Sequence, residues 1–393
     1  MTTQMKLRRY ELDWLRVIAF ALLVFFHTGM FFVNWDWHIK NNVISGAIEW
    51  PMIFLSQWRM SLIFLISGAG VYYAMGYKSP KMFVMDRLKR ILIPLIAGIF
   101  LVVPPQVFLE RLAQGAEFGY FEFYLTFLKF EPYPNGNFSW HHLWFLVYIL
   151  AYSLCFLPLL HQIRQKNFSF NWVSSWMIIL LPGLWLGIGE SWLRPLFPTT
   201  GAFVDDWANH FLYISIFILG FVLISSEYLQ QKIQRLRWYS FGVAFLLVTI
   251  LYSQFWLSNR GFVLAGEVVY RYIISLNRWC WLIAILGFAI QHLNKKSHSL
   301  KVLNEMVYPF YVLHQTVIVI LAYYLKDMPW SVGEKFSIII IGTFATCYVL
   351  IRYLIMKVNL LRLPFGLKPY QEPKNRKGSL EADKKVLQKT ATG

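Results

Sequence analysis

Ten apolar runs divide this chain, and they constrain its fold more than any other feature. They cover 14–33, 51–75, 91–108, 143–160, 172–192, 211–224, 239–257, 272–290, 302–325 and 336–356. Hydrocarbon offers no partner to a backbone N–H or C=O, so an uninterrupted apolar run of about 20 residues crosses a bilayer as a helix. The pattern predicts an all-α, polytopic integral membrane protein with about ten transmembrane helices. Composition agrees: 57% of the 393 residues are hydrophobic and 15% are charged, against ~25% charged in an ordinary soluble domain. That balance excludes a disordered chain, a coiled coil and a disulfide-framed secreted domain, and it argues against a large soluble enzyme. The run 51–75 is long enough to tilt, or to lay its first part in the interface. The run 211–224 is short and could begin before His210.

The net charge of +17 is distributed by loop. Lys6, Arg8 and Arg9 precede the first run. Lys78, Lys81, Arg87, Lys89 and Arg90 separate the second from the third. Arg164 and Lys166 follow the fourth, Lys232, Arg235 and Arg237 the sixth, and Lys295, Lys296 and Lys301 the eighth. The intervening loops carry Asp36, Glu117, Glu122, Asp205 and Asp206 instead. This is a positive-inside pattern, and it predicts both termini in the cytoplasm and an even number of spans. The positive charge is thereby spent on topology, and no nucleic-acid partner is expected. Residues 1–360 read as one transmembrane domain, and 361–393 as a basic cytoplasmic tail, disordered by composition. Residues 110–142 read as a long outer loop. Cys155, Cys280 and Cys347 fall in apolar runs and read as small buried hydrophobes, without disulfides. The first run lacks a small-residue cleavage site and reads as an anchor, not a signal peptide. The expected location is a cell membrane, multi-pass.

Ionisable residues inside a span are costly and mark function by default. Arg16 and His27 lie eleven residues apart in the first run, which is three helical turns plus roughly 20°. Asp13, three residues before Arg16, falls on the same face. That face therefore carries Asp13, Arg16 and His27 from the cytoplasmic end inward, with His27 beyond the midplane. A neutral imidazole there could act as a general base. Alone, Arg16 also reads as an anchor at the inner headgroups, and His27 as a helix-packing hydrogen bond. Arg87 and Arg90, before the third run, share a helical face and suit bidentate recognition of phosphate. Without further support, ordinary positive-inside charge is the preferred explanation of them.

With these residues in place the chain resembles membrane-bound acyltransferase family 3. Asp13-Trp14-Leu15-Arg16 followed by ten residues and His27 resembles that family's Arg-x10-His signature, and Arg87-x-x-Arg90 is similar to its second signature. Phe64-Leu65-Ile66-Ser67-Gly68 looks like its second-span motif. The segments His142-Leu143-Trp144-Phe145-Leu146 and Tyr308-Pro309-Phe310-Tyr311-Val312-Leu313-His314 look like its later landmarks. The likeness runs from about residue 10 to 356 and is nearest in flavour to the subgroup of glucan biosynthesis protein C. It implies an integral membrane O-acyltransferase. Such an enzyme moves an acyl group, usually acetyl, from cytoplasmic acyl-CoA to a carbohydrate hydroxyl at or beyond the outer face. Acetyl and succinyl both stay open. On this resemblance His27 is the catalytic histidine, Arg16 its companion, and Arg87 and Arg90 the acyl-CoA site. Asp13, Ser67, His142, Tyr308, Tyr311 and His314 are supporting candidates. Met306 and Val307 stand where the family often has a serine, which unsettles the roles of Tyr308 and Tyr311. His314 is expected to pack or orient a neighbour, and Ser67 to serve close packing beside Gly68.

No metal-ligand signature appears, and neither a metal nor a resident cofactor is expected; acyl-CoA enters as the donor substrate. The rival reading is a transporter or flippase for a glycolipid or polysaccharide, with Arg16, Arg59, Arg278 and His314 along a polar route. Nothing in the pattern sets the oligomeric state.

Overall fold

The computed structural model describes residues 8–166, 168–257 and 264–369. The protein is 75% helical, and no strand occurs among the described residues beyond an isolated bridge between Pro132 and Phe138. In chain order the helices are α1 (Tyr10–Met30), α2 (Gly46–Met75), α3 (Pro80–Arg87), α4 (Ile93–Leu101), α5 (Pro104–Ala113), α6 (Tyr120–Phe127), α7 (Trp144–Cys155) and α8 (Leu157–Gln165). They continue with α9 (Ser175–Leu193), α10 (Trp207–Ser225), α11 (Glu227–Ile250), α12 (Leu264–His292), α13 (His298–Leu325), α14 (Val332–Val349) and α15 (Asn359–Arg362). Nine helices or helix runs among the described residues are long and apolar enough to cross a membrane. The bent pair α7–α8 makes a tenth if counted as one span. Every apolar run of the sequence thus falls on one of these segments.

The structure departs from the sequence reading at segment ends and breaks. The third span runs over Pro80–Ala113, with a π turn at Leu88–Leu92 and a break before Pro104, which opens α5. The α7–α8 bend of 55° sits two residues before Pro158, which has no N–H to continue the α7 ladder and fits the first turn of α8. Lys232, Arg235 and Arg237 lie in the first turns of α11, not in a loop, and Lys301 lies inside α13. Glu110 is a buried residue of α5, and α6 occupies part of the stretch expected as an outer loop. Cys155 is exposed as the last residue of α7, while Cys280 and Cys347 are buried; all three thiols are free.

α2 and α10 cross at nearly bare backbone. A Cβ on Gly68 would lie 1.9 Å from the Phe217 carbonyl oxygen, and one on Gly220 would lie 2.2 Å from that of Leu65. Small residues at a crossing let two membrane helices gain van der Waals contact where no hydrophobic drive separates lipid from protein. A buried ionic cluster ties the neighbouring helices together. Arg278 on α12 donates to Glu190 Oε1 on α9 (3.0 Å) and to the Gln57 carbonyl on α2 (2.7 Å). Arg194 holds the other Glu190 oxygen at 2.9 Å and Asn209 at 2.7 Å. Arg278 thus has its charge matched within the bundle.

α1 lies between α2 and α13. Arg16 reaches Asn304 and His27 reaches His314 on α13, a nearly constant offset that makes α1 and α13 parallel neighbours. After α14 the chain turns back through α15, and Gly366, at φ +74°, brings Leu367 and Lys368 over one end of the bundle. Only glycine suits that turn, since a Cβ there would also meet the Tyr308 ring at 2.5 Å. Residues 370–393, the greater part of the expected tail, lie outside the described residues.

Candidate active site

Helices α1, α2, α7 and α13, the π turn after α3, and the segment 366–368 enclose a cleft of about 510 Å³. Arg16, Arg87, Arg90 and Lys368 supply four cationic side chains to its wall, with Ser67 and Tyr308 beside them. Asp13 does not line it. Its carboxylate accepts from Arg8 at 2.7 Å and from Arg16 at 3.3 Å, so it braces Arg16 from behind while the same guanidinium holds Asn304 at 3.1 Å. Arg90 pairs with Asp86 at 2.9 Å. Arg87 lies over the Phe83 ring, 4.6 Å from its centroid, with a buried Nε that has no partner. The Tyr308 hydroxyl is likewise buried and unbonded. Ser67 spends its hydroxyl on the Ile63 carbonyl of its own helix at 2.7 Å.

The cleft ends at Phe20 and Ile63. Phe20 packs edge-on against Tyr311 at 5.1 Å between centroids, and Tyr311 meets Phe145 at 6.1 Å. These rings separate the cationic cleft from a second group of polar side chains. There His27 Nδ1 lies 3.2 Å from His314 Nε2, with the rings stacked at 5.1 Å. His314 Nδ1 lies 2.7 Å from the Tyr311 carbonyl. A carbonyl can only accept, so His314 carries its proton on Nδ1 and its Nε2 is a lone pair. His27 Nδ1–H must then be the donor to that lone pair. This assignment leaves Nε2 of a neutral His27 unprotonated, the atom a base needs. His142 abuts His314 at 5.4 Å and is saturated: its Nε2–H donates to the Val312 carbonyl (2.9 Å) and its Nδ1 accepts from Gln106 (3.3 Å). The Tyr311 hydroxyl donates to the His142 carbonyl. His142 and Tyr311 therefore build the wall that holds His314.

Of the residues singled out in the sequence, Arg16, Ser67, Arg87, Arg90 and Tyr308 meet in the cleft, and His27, His142, Tyr311 and His314 meet beyond it. A family model described as an acyltransferase domain matches residues 9–352. The chain belongs to this acyltransferase family. Among similar proteins, glucans biosynthesis protein C of Escherichia coli O1:K1 is 22% identical over 94% of this chain and 97% of its own length. The protein of the same name from E. coli K12 shows the same identity and coverage. No solved structure matches this acyltransferase.

The site also contains residues to which the acyltransferase resemblance gave no role. Arg59 on α2 is buried at 6% exposure, with its guanidinium over the ring of Phe26, the neighbour of His27. On the far side of His314 lies a hydrogen-bonded chain. Gln315 Nε2 donates to Gln106 Oε1 (3.1 Å) and to His38 Nε2 (3.0 Å), and His38 Nδ1 lies 2.6 Å from Glu110 Oε2. Tyr133 donates to the other Glu110 oxygen at 2.7 Å; burial first, then this bond, holds its hydroxyl well above the usual phenol range. His38, Glu110 and His141 place their ligand atoms within 4.8 Å of one another, near enough to share a cation. The Gln315 amide, however, keeps the His38 proton on Nδ1, facing Glu110, so a cation would first have to displace that proton. No motif signals this chain, because its members come from α5, α13 and two loops.

Proposed function

We propose that this membrane acyltransferase takes an acyl group from cytoplasmic acyl-CoA and delivers it to a hydroxyl of a carbohydrate at the opposite face. The acyl group is acetyl or succinyl. The observation that carries the reading is the His27–His314 pair, which lies just beyond the Phe20–Tyr311 end of a cationic cleft. The cleft cations suit the phosphates of CoA, since guanidiniums grip phosphate oxygens through charge-assisted, often bidentate bonds. The pantetheine arm then runs along the α1 face past Arg16 toward Phe20. His27 Nε2 takes the acceptor's proton as the hydroxyl attacks the thioester, and His314 keeps the imidazole in the required tautomer. The proton leaves with the CoA thiol. The carbohydrate acceptor is supported by the glucans biosynthesis relatives alone, and no resident cofactor enters this chemistry.

The test is purified protein in lipid nanodiscs, given acyl-CoA and a glucan acceptor, with free CoA thiol and acylated glucan both quantified. Equal amounts of the two products support the reading. Wild-type protein that consumes no acyl-CoA of either kind excludes it.

A further inference from the structure

Among the described residues, Arg59 is a buried cation without a counter-ion. Its Nε and Nη1 are enclosed and have no hydrogen-bond partner. Its guanidinium carbon lies 3.4 Å from the centroid of the Phe26 ring, the residue next to His27. Removing a charge from water is expensive, and a folded chain normally compensates it with an opposite charge or hydrogen bonds. Arg278 shows how this same bundle does so, through Glu190 and the Gln57 carbonyl. Nothing comparable faces Arg59 among the described residues, which leaves its place open for a group that arrives with the reaction.

Helix geometry says where that group arrives. α1 and α2 run antiparallel, and a Cβ on Gly70 would lie 3.8 Å from Arg16 Nη2. Eleven residues forward from Arg16 is His27; eleven back from Gly70 is Arg59. The two side chains therefore stand at one level. Ile63, Ile66 and Gly70 all line the cleft, and Arg59 extends their stripe by one turn, about 6 Å past the cleft's closed end. Arg16 and Phe20 line it from α1, and His27 continues that stripe. Three stripes, the third on α13 leading to His314, converge on one point.

Building on the proposed acyl transfer, we propose that Arg59 is a catalytic residue whose Nε–H and Nη1–H hold the oxyanion of the tetrahedral intermediate. As the acceptor oxygen attacks, a C–O bond forms and the carbonyl π pair moves onto the carbonyl oxygen, which gains the negative charge that Arg59 lacks in the resting site. His27 Nε2 receives the acceptor proton. On collapse the C–O double bond reforms, the C–S bond breaks, and the CoA thiolate leaves with the proton from His27. The products are the ester and CoA thiol, and charge balances throughout. A donor that pairs only with developing charge favours the transition state over the bound substrate, which is what raises turnover.

The experiment measures kcat and KM of Arg59→Gln and Arg59→Lys in nanodiscs, with acetyl-CoA and with succinyl-CoA as donors. Loss of an oxyanion donor lowers kcat by about 10²–10³, so Arg59→Gln should fall that far with both donors while KM for acyl-CoA stays within about twofold. Arg59→Lys keeps the charge without the fork and should recover part of the loss. It also carries the test should the glutamine variant not purify as a monodisperse protein. A kcat within threefold of wild type in both variants overturns the proposal. So does a raised KM at unchanged kcat, which would make Arg59 a ground-state binding group. A loss confined to succinyl-CoA also overturns it, because the guanidinium would then be pairing with the acyl carboxylate. An inactive wild type removes the acyl-transfer reading itself; an active wild type with indifferent Arg59 variants removes only this inference.

Discussion

At the scale of single residues, the site turns on which nitrogen carries a proton. The Tyr311 carbonyl claims the His314 Nδ1 proton at 2.7 Å, and the remaining His314 lone pair faces His27 Nδ1 at 3.2 Å. If His27 is the base, His27→Ala should insert normally and lose about 10²–10⁴ in turnover; a variant keeping more than a tenth of wild-type kcat would exclude that role. His314→Phe preserves the ring and deletes the acceptor. It should lower kcat by about tenfold, less than His27→Ala, with KM for acyl-CoA unchanged, because the base survives but spends time in the wrong tautomer. Equal rates for wild type and His314→Phe would mean that something else orients His27. The shared face of Asp13, Arg16 and His27 was readable from spacing, because helical periodicity is local. The partner of His27 was not, because it lies 287 positions away and only packing brings α13 beside α1. Arg59 was visible as an intramembrane charge, but its lack of a partner is a property of three-dimensional surroundings. Glu110 was misplaced into a loop because the apolar run before it stops two residues early.

At the scale of elements, hydrocarbon made the spans legible and water hid their ends. α11 begins at Glu227, twelve residues before the apolar run at 239. A helix that continues past the hydrocarbon can carry Lys232, Arg235 and Arg237 at little cost, so apolarity marks only part of it. The π turn at Leu88–Leu92 leaves no compositional trace, although it joins the stretch from Arg87 to Arg90, which both line the cleft. The α2–α10 crossing is legible only in part: Gly68 was noted, whereas its opposite Gly220 was not. This contact makes a contrasting pair of predictions. Gly68→Val drives carbons into the Phe217 carbonyl, 1.9 Å from where its Cβ would stand. Overpacking of this kind costs about 1–3 kcal/mol, and a nanodisc thermal-unfolding midpoint should fall by several degrees. Ser67→Ala removes a hydroxyl already satisfied within its own helix and should leave both midpoint and kcat close to wild type. A twofold or greater change in KM for acyl-CoA in Ser67→Ala would instead make Ser67 a donor contact. Replacing Arg87 and Arg90 together by glutamine removes two charge-assisted bonds of about 1.5–3 kcal/mol each. Donor affinity should fall by tenfold or more with acceptor affinity unchanged, and normal CoA binding would reduce the pair to topology charges.

At the scale of the whole molecule, the polar groups form an axis through an otherwise apolar bundle. Arg16, Arg87, Arg90 and Lys368 stand at one end, His27 and His314 lie inside, and His38 with Glu110 lies beyond Gln315. Arg16 and His27 are separated by about 16 Å along α1, roughly half of a ~30 Å hydrocarbon core. A donor seated among the cleft cations must therefore pass its thioester between Phe20 and Tyr311, which are in contact, before it meets His27. An acceptor has the shorter path from the Glu110 end. The charge pattern of the loops predicts the cationic cleft on the cytoplasmic side; with that orientation the proposed reaction carries the acyl group across the membrane within the enzyme, with no separate carrier. Sealed inside-out vesicles decide this. Acyl-CoA is added outside, against the exposed cytoplasmic face, and the glucan acceptor is trapped in the lumen. Acylated glucan in the lumen, matched by CoA thiol released outside, is the expected result. A second preparation carries donor and acceptor together outside and should acylate far less glucan. If acylation instead requires both substrates on the cytoplasmic face, then His27 is reached from the cationic cleft alone, and the route past Glu110 serves no substrate.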